Sequence, residues 1–297
     1  MQIQFWRLVL FLSWSSCRRT VLLTASLALV ACDNGSITLS VTDTPADEVS
    51  RVVVQFSAVE FEDSGGDWER VELKPELQVD LLALRGGDSK VLIADESIPS
   101  GSYRRIRFVI DADSNGSESY VDRTNGGRIA LEPEGGEDAR PTVDFRFSLD
   151  DGDDVALTVD FDLRRGLIEP DDFSDPYRLR NALRVVDDEF SGRVRGTVSA
   201  GLVSNGCEPA LYVFDGEDAD VGDIGGDNEP LTSVGLVAQN GSSGLSYSIG
   251  FLEAGDYTIA FTCDAEDDDP EDDDELSFRR ERNFEIEEGE ETILDIN

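Results

Sequence analysis

The feature that most constrains this chain is a series of short segments in which apolar and polar residues alternate, starting at Ser36. A period of two places successive side chains on opposite faces of a β-strand, and Gly- and Asp-rich turns separate the segments. Clear examples are RVVVQFSAVEFE at 51–62 and SYRRIRFVIDA at 102–112. No long segment shows a convincing helical period of 3.6 residues. The pattern therefore predicts an all-β fold of sandwich-like sheets and argues against a parallel α/β fold.

The strand pattern divides the chain into two predicted β domains, at residues 36–188 and 192–297. A short polar boundary at Asp187–Ser191 separates them, so we expect the domains to lie end to end. Seven short predicted strands in the second domain suit an immunoglobulin-like or transthyretin-like sandwich. In the first domain, Trp68–Leu73 and Leu77–Leu84 are predicted as separate strands.

Two turns share the sequence Gly-x-Tyr, at Gly101 to Tyr103 and at Gly255 to Tyr257. We expect each glycine to adopt a positive φ, which costs glycine no steric energy. Each tyrosine then enters a strand, packs its ring and places its hydroxyl on a hydrogen-bond partner. An aromatic platform for sugars is the alternative interpretation.

Residues 1–31 have the composition of an export signal. Arg18 and Arg19 precede an eleven-residue apolar run, Val21–Ala31, which ends in small residues. A membrane-spanning helix needs about 20 apolar residues, so this run indicates a signal peptide rather than a spanning segment.

The sequence Leu29-Val30-Ala31-Cys32 resembles the lipobox of bacterial lipoproteins. In that family the signal is cut off before the cysteine, and the cysteine carries the acyl chains. The resemblance implies lipidation of Cys32 and a tether at residues 32–35, because several acyl chains hold a protein where one chain binds marginally. We expect an exported protein that is lipid-anchored in the bacterial cell envelope.

The charge balance excludes several classes of function. The chain has 64 Asp and Glu against 25 Lys and Arg, a formal net charge of −39, and no His. A nucleic-acid binder needs a basic face, and Ser-His-Asp or Cys-His catalysis needs a histidine. Because aromatic and β-branched residues are plentiful, the acids indicate an acidic surface over a folded core rather than disorder. A salt-loving source and an ordinary acidic exported protein both remain open.

The first predicted domain contains a series of recognisable segments: SITLSVTDTPAD (36–47), RVVVQFSAVEFE (51–62), Trp68, VDLLAL (79–84), IPSGSYRRIRFVI (98–110), LTVDFDLRRGLI (157–168) and RLRNALRVVD (178–187). Through this series the domain, about 36–188, resembles the domain of unknown function 4382 family of bacterial lipoproteins. The resemblance implies a lipid-anchored β protein and no established activity. FLEAGDYTIAF at 251–261 loosely resembles carboxypeptidase-regulatory-like domains, whose fold is often called carbohydrate-binding-like; a fold label does not define a function.

The segment DADSNGSESYVD has the ligand spacing of an EF-hand-like calcium loop. Positions 1, 3, 5 and 12 are Asp111, Asp113, Asn115 and Asp122, and Gly116 stands at position 6. The last ligand is Asp rather than Glu, position 8 is charged, and strands flank the loop. The alternative is a hairpin turn on the Asn-Gly pair, a strong turn signal. Calcium at these four residues is therefore a hypothesis, and no other cofactor is expected.

Two cysteines, Cys207 and Cys263, remain in the body after the predicted cleavage. An even pair in an exported protein predicts a disulfide bond. The acidic run DAEDDDPEDDDE, Asp264–Glu275, follows the second cysteine. Since like charges repel, we expect this run to be a mobile, solvated loop, with a cation sponge or a docking segment for a basic partner as alternatives.

These features together predict a non-catalytic, lipid-anchored envelope protein that acts as a binding or scaffold module with an acidic, salt-tolerant surface. The expected partners are the membrane, through the lipid anchor, and an envelope protein or glycan, but not nucleic acid. Two alternatives are kept: a glycan- or calcium-binding adhesin-like protein, and a glycan hydrolase acting through carboxylates. The abundance of acids singles out no catalytic pair.

Overall fold

The computed structural model describes residues 34–44, 49–172, 174–204, 206–238 and 244–297. The predicted signal peptide at 1–31 and the predicted lipidation site Cys32 lie outside the described residues. Asp33–Asn297 form a compact unit. No helix within the described ranges combines the length and apolar character needed to cross a lipid bilayer.

The all-β prediction is confirmed, because strands dominate the described residues. The strands of the N-terminal half are β1 (Asn34–Thr44), β2 (Val49–Asp63), β3 (Trp68–Asp80), β4 (Lys90–Pro99), β5 (Gly101–Asp111), β6 (Tyr120–Arg123), β7 (Arg128–Pro133), β8 (Thr142–Leu149), β9 (Asp154–Asp162), β10 (Leu167–Ile168), β11 (Tyr177–Leu179) and β12 (Leu183–Asp187). Those of the C-terminal half are β13 (Ser191–Val198), β14 (Ala210–Asp215), β15 (Thr232–Gly235), β16 (Val237–Ala238), β17 (Leu245–Glu253), β18 (Gly255–Thr262), β19 (Arg279–Ile286) and β20 (Glu291–Ile293). The helical segments are α1 (Leu163–Gly166) and the 3-10 turns Leu81–Ala83, Arg85–Gly87, Asp188–Phe190, Ala200–Leu202 and Ala265–Asp267.

The N-terminal half packs a four-stranded sheet against an eight-stranded sheet. The smaller sheet has the order β12-β9-β1-β4, and the larger runs β10-β11-β7-β6-β2-β5-β8 with β3 also paired to β2. Phe56 and Phe108 of the larger sheet meet Phe161 of the smaller one edge to face, with ring centroids 5.7 and 5.1 Å from Phe161. Such aromatic contacts favour a single sheet-to-sheet arrangement beyond the burial of area.

The C-terminal half contains two four-stranded sheets, β16-β17-β13-β20 and β15-β14-β18-β19. Alternate residues of β14 and β18 contribute Leu211, Val213, Ile259 and Phe261 to one core, all at 0% exposure. The residues between them, with Tyr212 at the centre, form a second small core on the other face of the same sheet. The central strands β14 and β18 are therefore buried on both faces, whereas most of the edge strand β19 is exposed.

Two sequence-based boundaries are corrected by the structure. Asn34 and Gly35 were expected in the tether, but they begin β1, where Gly35 pairs with Ile98 and packs against Leu149. The two strands expected at 68–84 are one strand, β3, which is followed by a 3-10 turn. Proline cannot donate to the ladder. Pro75 lies instead where β3 loops away from β2, opposite the register shift between Phe56 and Ala58.

The glycines of the two Gly-x-Tyr turns do not adopt a positive φ, so that expectation is wrong. Gly101 and Gly255 are the first residues of β5 and β18 and already belong to those strands. The tyrosine expectation agrees with the structure. Tyr103 donates to the Pro99 carbonyl at 2.6 Å and Tyr257 to the Glu253 carbonyl at 2.8 Å, and both rings are buried.

Candidate functional site

The predicted calcium loop joins two strands that lie in line along one edge of β2. β5 ends where Asp111 pairs with Gln55, and β6 starts where Tyr120 pairs with Val53. The fully buried Ser119 closes the gap, because its hydroxyl donates to the Asp111 carbonyl and accepts the Gln55 amide. The segment is thus an outward loop between collinear strands, and the hairpin alternative is wrong.

The predicted ligands of this loop are engaged by protein groups in separate places. The Asp111 carboxylate accepts a hydrogen bond from Ser57 at 2.9 Å. Asp113 accepts the hydroxyl and the amide of Ser117, and these bonds hold its pKa below the ordinary value. Asp122 pairs with Arg128 at 2.9 Å. Asn115 stays beside Asp113 and adds a hydrogen bond to that carboxylate. Calcium binding by these four residues stays a prediction.

A cleft of about 350 Å³ opens beside this loop, between β7 and residues 174–176. None of the described residues that line the cleft is aromatic, so these residues offer no ring on which a sugar could stack. The lining offers hydrogen bonds to a polar ligand, and its four carboxylates do not single out a catalytic pair. Glycan binding and glycan hydrolysis therefore stay predictions. The charged side chains of the lining are Asp113, Arg128, Glu132, Glu137 and Asp175.

Cys207 and Cys263 form a disulfide bond, which joins the loop before β14 to the end of β18. The bond lies next to a backbone bridge between Glu208 and Asp264. The start of the acidic run is therefore fixed in place by a covalent and a hydrogen-bonded link.

The acidic run is not solvated throughout, which corrects the expectation for Asp264–Glu275. Asp268 is 8% exposed and accepts hydrogen bonds from the Tyr212 hydroxyl and the Ile224 amide. The run returns toward β14 because Tyr212, at 0% exposure, needs a polar partner for its hydroxyl. Burial raises the pKa of Asp268, and the Tyr212 hydrogen bond opposes that shift.

One group of carboxylates among the described residues has the spacing of metal ligands. Oxygens of Asp223, Asp268 and Asp274 lie within 4.8 Å of one another. Protein donors already reach the group, because the Asp274 amide donates to Asp223 at 2.6 Å. Three carboxylates could hold a hard cation, and here they also tie the loop at 216–231 to the acidic run. The sequence analysis did not select these residues, since acids of equal appearance surround each of them.

A second polar network covers the outer face of the eight-stranded sheet. Glu60 and Glu62 of β2 are only 7% and 3% exposed. Glu60 lies between Arg70 of β3 and Arg107 of β5, and Glu62 accepts from the neighbouring Arg104 and Arg105. Trp68 also belongs to this network, because the centre of its ring lies 3.7 Å from the Arg107 guanidinium carbon. Bidentate and cation–π contacts of this kind favour one register of the three strands.

The Glu62 network predicts a contribution to the free energy of unfolding that is present at neutral pH and lost in acid. Hydrogen bonds from Arg105 and then Arg104 lower the pKa of Glu62 from 4.5 to about 2. A depressed carboxyl pKa stabilises the fold above the unfolded value near 4.5 and loses that effect as the pH falls toward 2. We expect Glu62→Gln to be less stable than the wild type at pH 7, with the difference shrinking between pH 4.5 and 2 in urea titrations. The exposed Glu96→Gln should show no such difference, and parallel pH profiles for wild type and Glu62→Gln would contradict the prediction.

Among the described residues, four arginines of the N-terminal half reach the C-terminal half. One of them, Arg180, pairs with the exposed Glu271 of the acidic run. Arg184 of β12 donates to the Phe251 carbonyl at 2.6 Å while pairing with Asp160 at 2.9 Å. Arg164 donates to the Ala265 carbonyl at 2.9 Å, and Arg165 donates to a carbonyl of the loop before β15. A guanidinium group that donates to acceptors of the N-terminal and the C-terminal half at the same time joins the two halves by charge-assisted hydrogen bonds.

These features define an all-β protein of sandwich-like sheets whose two halves share a polar junction. Residues 34–180 match the model of the family described as "Domain of unknown function (DUF4382)". The match covers about half of the chain and supports the family predicted for the N-terminal half. The resemblance of the C-terminal half to carboxypeptidase-regulatory-like domains stays a prediction. Comparison with curated proteins gave no match.

Solved structures that align with the chain are remote. The TIE protein of Bacillus anthracis is 10% identical at a TM-score of 0.20, with 88% of this chain and 33% of that chain covered. The fimbrial anchor protein of Porphyromonas gingivalis is 12% identical at 0.19, with 77% and 78% covered. Family 41 carbohydrate-binding modules from streptococcal virulence factors are 11% identical at 0.19, with 88% and 94% covered. Similarities this weak carry no inference about function.

Proposed function

We propose that this protein is a lipid-anchored component of the bacterial envelope whose two halves act as one rigid binding or scaffold body. The observation that carries the proposal is the junction, where Arg164, Arg165 and Arg184 each bond groups of the C-terminal half. A flexible pair of domains would place solvent there instead. A body that keeps its shape can hold a binding surface at a fixed orientation, as a scaffold requires.

Anchoring is the second part of the proposal. It is supported by the apolar run Val21–Ala31 and by the lipobox-like residues that end at Cys32. A net charge of −39 opposes adsorption to an anionic lipid surface. Acyl chains on Cys32 supply the attachment that the charge of the body cannot supply.

We expect Cys32→Ser to abolish acyl labelling and to move the protein from the membrane fraction to the soluble fraction. The serine hydroxyl cannot form the thioether through which a lipobox cysteine takes its first lipid. Labelling with a radioactive fatty acid and sedimentation of membranes at physiological salt measure the two effects.

Cys17→Ser is the matched control, because Cys17 lies upstream of the predicted cleavage and should be removed with the signal. This variant is expected to keep both the label and the membrane association. A Cys32→Ser protein that stays acylated and sediments with membranes would refute the lipid anchor.

A further inference from the structure

A small cavity between the two halves is lined by a buried carboxylate that has no hydrogen-bond partner. Asp43 of β1 is 7% exposed, and neither of its carboxylate oxygens makes a hydrogen bond of normal geometry, although the Leu163 amide lies close enough to act on the group. The cavity measures about 20 Å³. Ser233 of β15 lines it from the C-terminal half, is 4% exposed, and its hydroxyl also has no partner. Two unmatched polar groups from different halves thus face one small space.

The charged groups around Asp43 all belong to the N-terminal half. Asp160 and Asp162 of β9 are the neighbouring acids, Arg85 is the neighbouring cation, and Arg184 lines the same cavity. The C-terminal half contributes only uncharged residues to the lining, namely Thr232, Ser233, Val234, Ser248, Ile249, Gly250 and Phe251. Among the described residues that line the cavity, none from that side carries a charge that could balance a negative Asp43.

This environment disfavours the ionised carboxylate. Burial first, and then the charges of Asp160 and Asp162, hold the pKa of Asp43 well above its ordinary value. Arg85 and the nearby amide of Leu163 oppose the shift. The two terminal nitrogens of Arg184 donate to Asp160 and to the Phe251 carbonyl, whereas its buried Nε has no hydrogen-bond partner.

A proton fits this place better than a metal ion does. A cation in the cavity would meet the Arg184 guanidinium, which lines the same space. Among the described residues, the carboxylates with metal-ligand spacing are Asp223, Asp268 and Asp274 rather than those around Asp43. A neutral carboxyl group gains an O–H donor, and the hydroxyl oxygen of Ser233 is an acceptor available across the cavity.

Beside the cavity, the backbones of the two halves are in close contact. A Cβ added to Gly250 would stand 2.8 Å from the Cα of Gly87, so the 3-10 turn and β17 touch through glycine backbones. A contact this close weakens when the halves move apart even slightly, since dispersion falls off steeply with distance. Hydration of an ionised Asp43 requires such a movement, because 20 Å³ holds about one water molecule.

We propose that Asp43 is a proton-operated latch between the two halves: the neutral carboxyl group keeps the junction packed, and its ionisation loosens it. For an acid whose pKa is raised by folding, stability is highest at low pH. It falls as the pH rises above the unfolded value near 4, until the folded group has also ionised.

The test compares Asp33–Asn297, Asp43→Asn and the control Asp151→Asn between pH 4 and 8. Asparagine has the shape of the neutral acid and cannot ionise, and Asp151 is exposed in a turn. We expect equal melting temperatures at pH 4 and an advantage of at least about 3 °C for Asp43→Asn at pH 7.5. Asp162, whose pKa burial raises to about 6, is present in all three proteins, so their comparison isolates Asp43.

A distance measurement reports the junction itself. Spin labels placed at the exposed Val91 and Val237 lie on different halves. The distance distribution should broaden between pH 4.5 and 7.5 in the wild-type background and stay unchanged with Asp43→Asn. A melting profile of Asp43→Asn that parallels the wild type, a lower stability at pH 7.5, or equal broadening in both backgrounds would overturn the proposal.

Discussion

The double variant Cys207→Ser/Cys263→Ser is expected to lose about 4 kcal/mol of unfolding free energy. The disulfide joins residues that are 56 positions apart, and in the chain-entropy model a closed loop of that length restricts the unfolded chain by about this amount. Urea titration of the oxidised wild type and of the variant measures the difference. The loss is large because a domain is typically stable by only about 5–15 kcal/mol.

Reduction of the wild type is the matched control for this variant, because it breaks the same bond without changing a side chain. Reduced wild type and the double variant should unfold at the same urea concentration. A difference below about 1 kcal/mol between the oxidised and reduced proteins would show that the bond adds little to stability. Hydrogen exchange should rise first at the amides of Glu208 and Ala265, which form the backbone hydrogen bonds next to the disulfide.

Arg184→Met is expected to cost about 3–5 kcal/mol, the usual effect of removing one partner of a buried ion pair. The side chain of Asp160 is 6% exposed and would lose its ion pair with Arg184, and the Phe251 carbonyl would lose a donor from the other half. This variant therefore tests the rigid junction on which the proposed scaffold role depends.

Arg195→Met is the control, since Arg195 and Glu291 form an exposed ion pair at 2.7 Å. Exposed pairs contribute at most about 1 kcal/mol. The double variant Arg184→Met/Asp160→Leu should recover part of the loss, because both charges of the ion pair are then removed together. Equal urea midpoints for Arg184→Met and Arg195→Met would contradict the role of Arg184 at the junction.

Local patterns were sufficient to predict the disulfide and several strands, but not β4, β6 and β7. The alternation in β2 and β5 follows from the pleat of a strand, and two body cysteines in an exported chain leave one pairing. The same patterns misplaced the acids. Glu60 and Glu62 have the spacing of solvent-facing residues, yet arginines from two neighbouring strands cover them. Only the register between strands brings those arginines to the glutamates, and one sequence does not contain that information.

The acids at the junction and in the acidic run were missed for a related reason. Asp43 and Asp268 look like surface residues in a chain with 64 acids. Each becomes buried through contacts with segments more than 50 positions away, Asp268 with Tyr212 and Asp43 beside Asp160. Burial of this kind depends on tertiary structure, so composition and spacing could not reveal it.

Two of the parallel strand pairs, β1 with β9 and β13 with β20, also set an order in which the chain can become folded. β1 lies between β9 and β4, and Ser36 pairs with Asp154, which is synthesised more than a hundred residues later. In the other half, β13 likewise pairs with β20, which is synthesised much later. Contacts between distant segments form slowly. Neither sheet can close before its later strand, β9 or β20, has been synthesised. With this topology each half stays unfolded until its last strand is available. That property is compatible with passage through a membrane in an unfolded form.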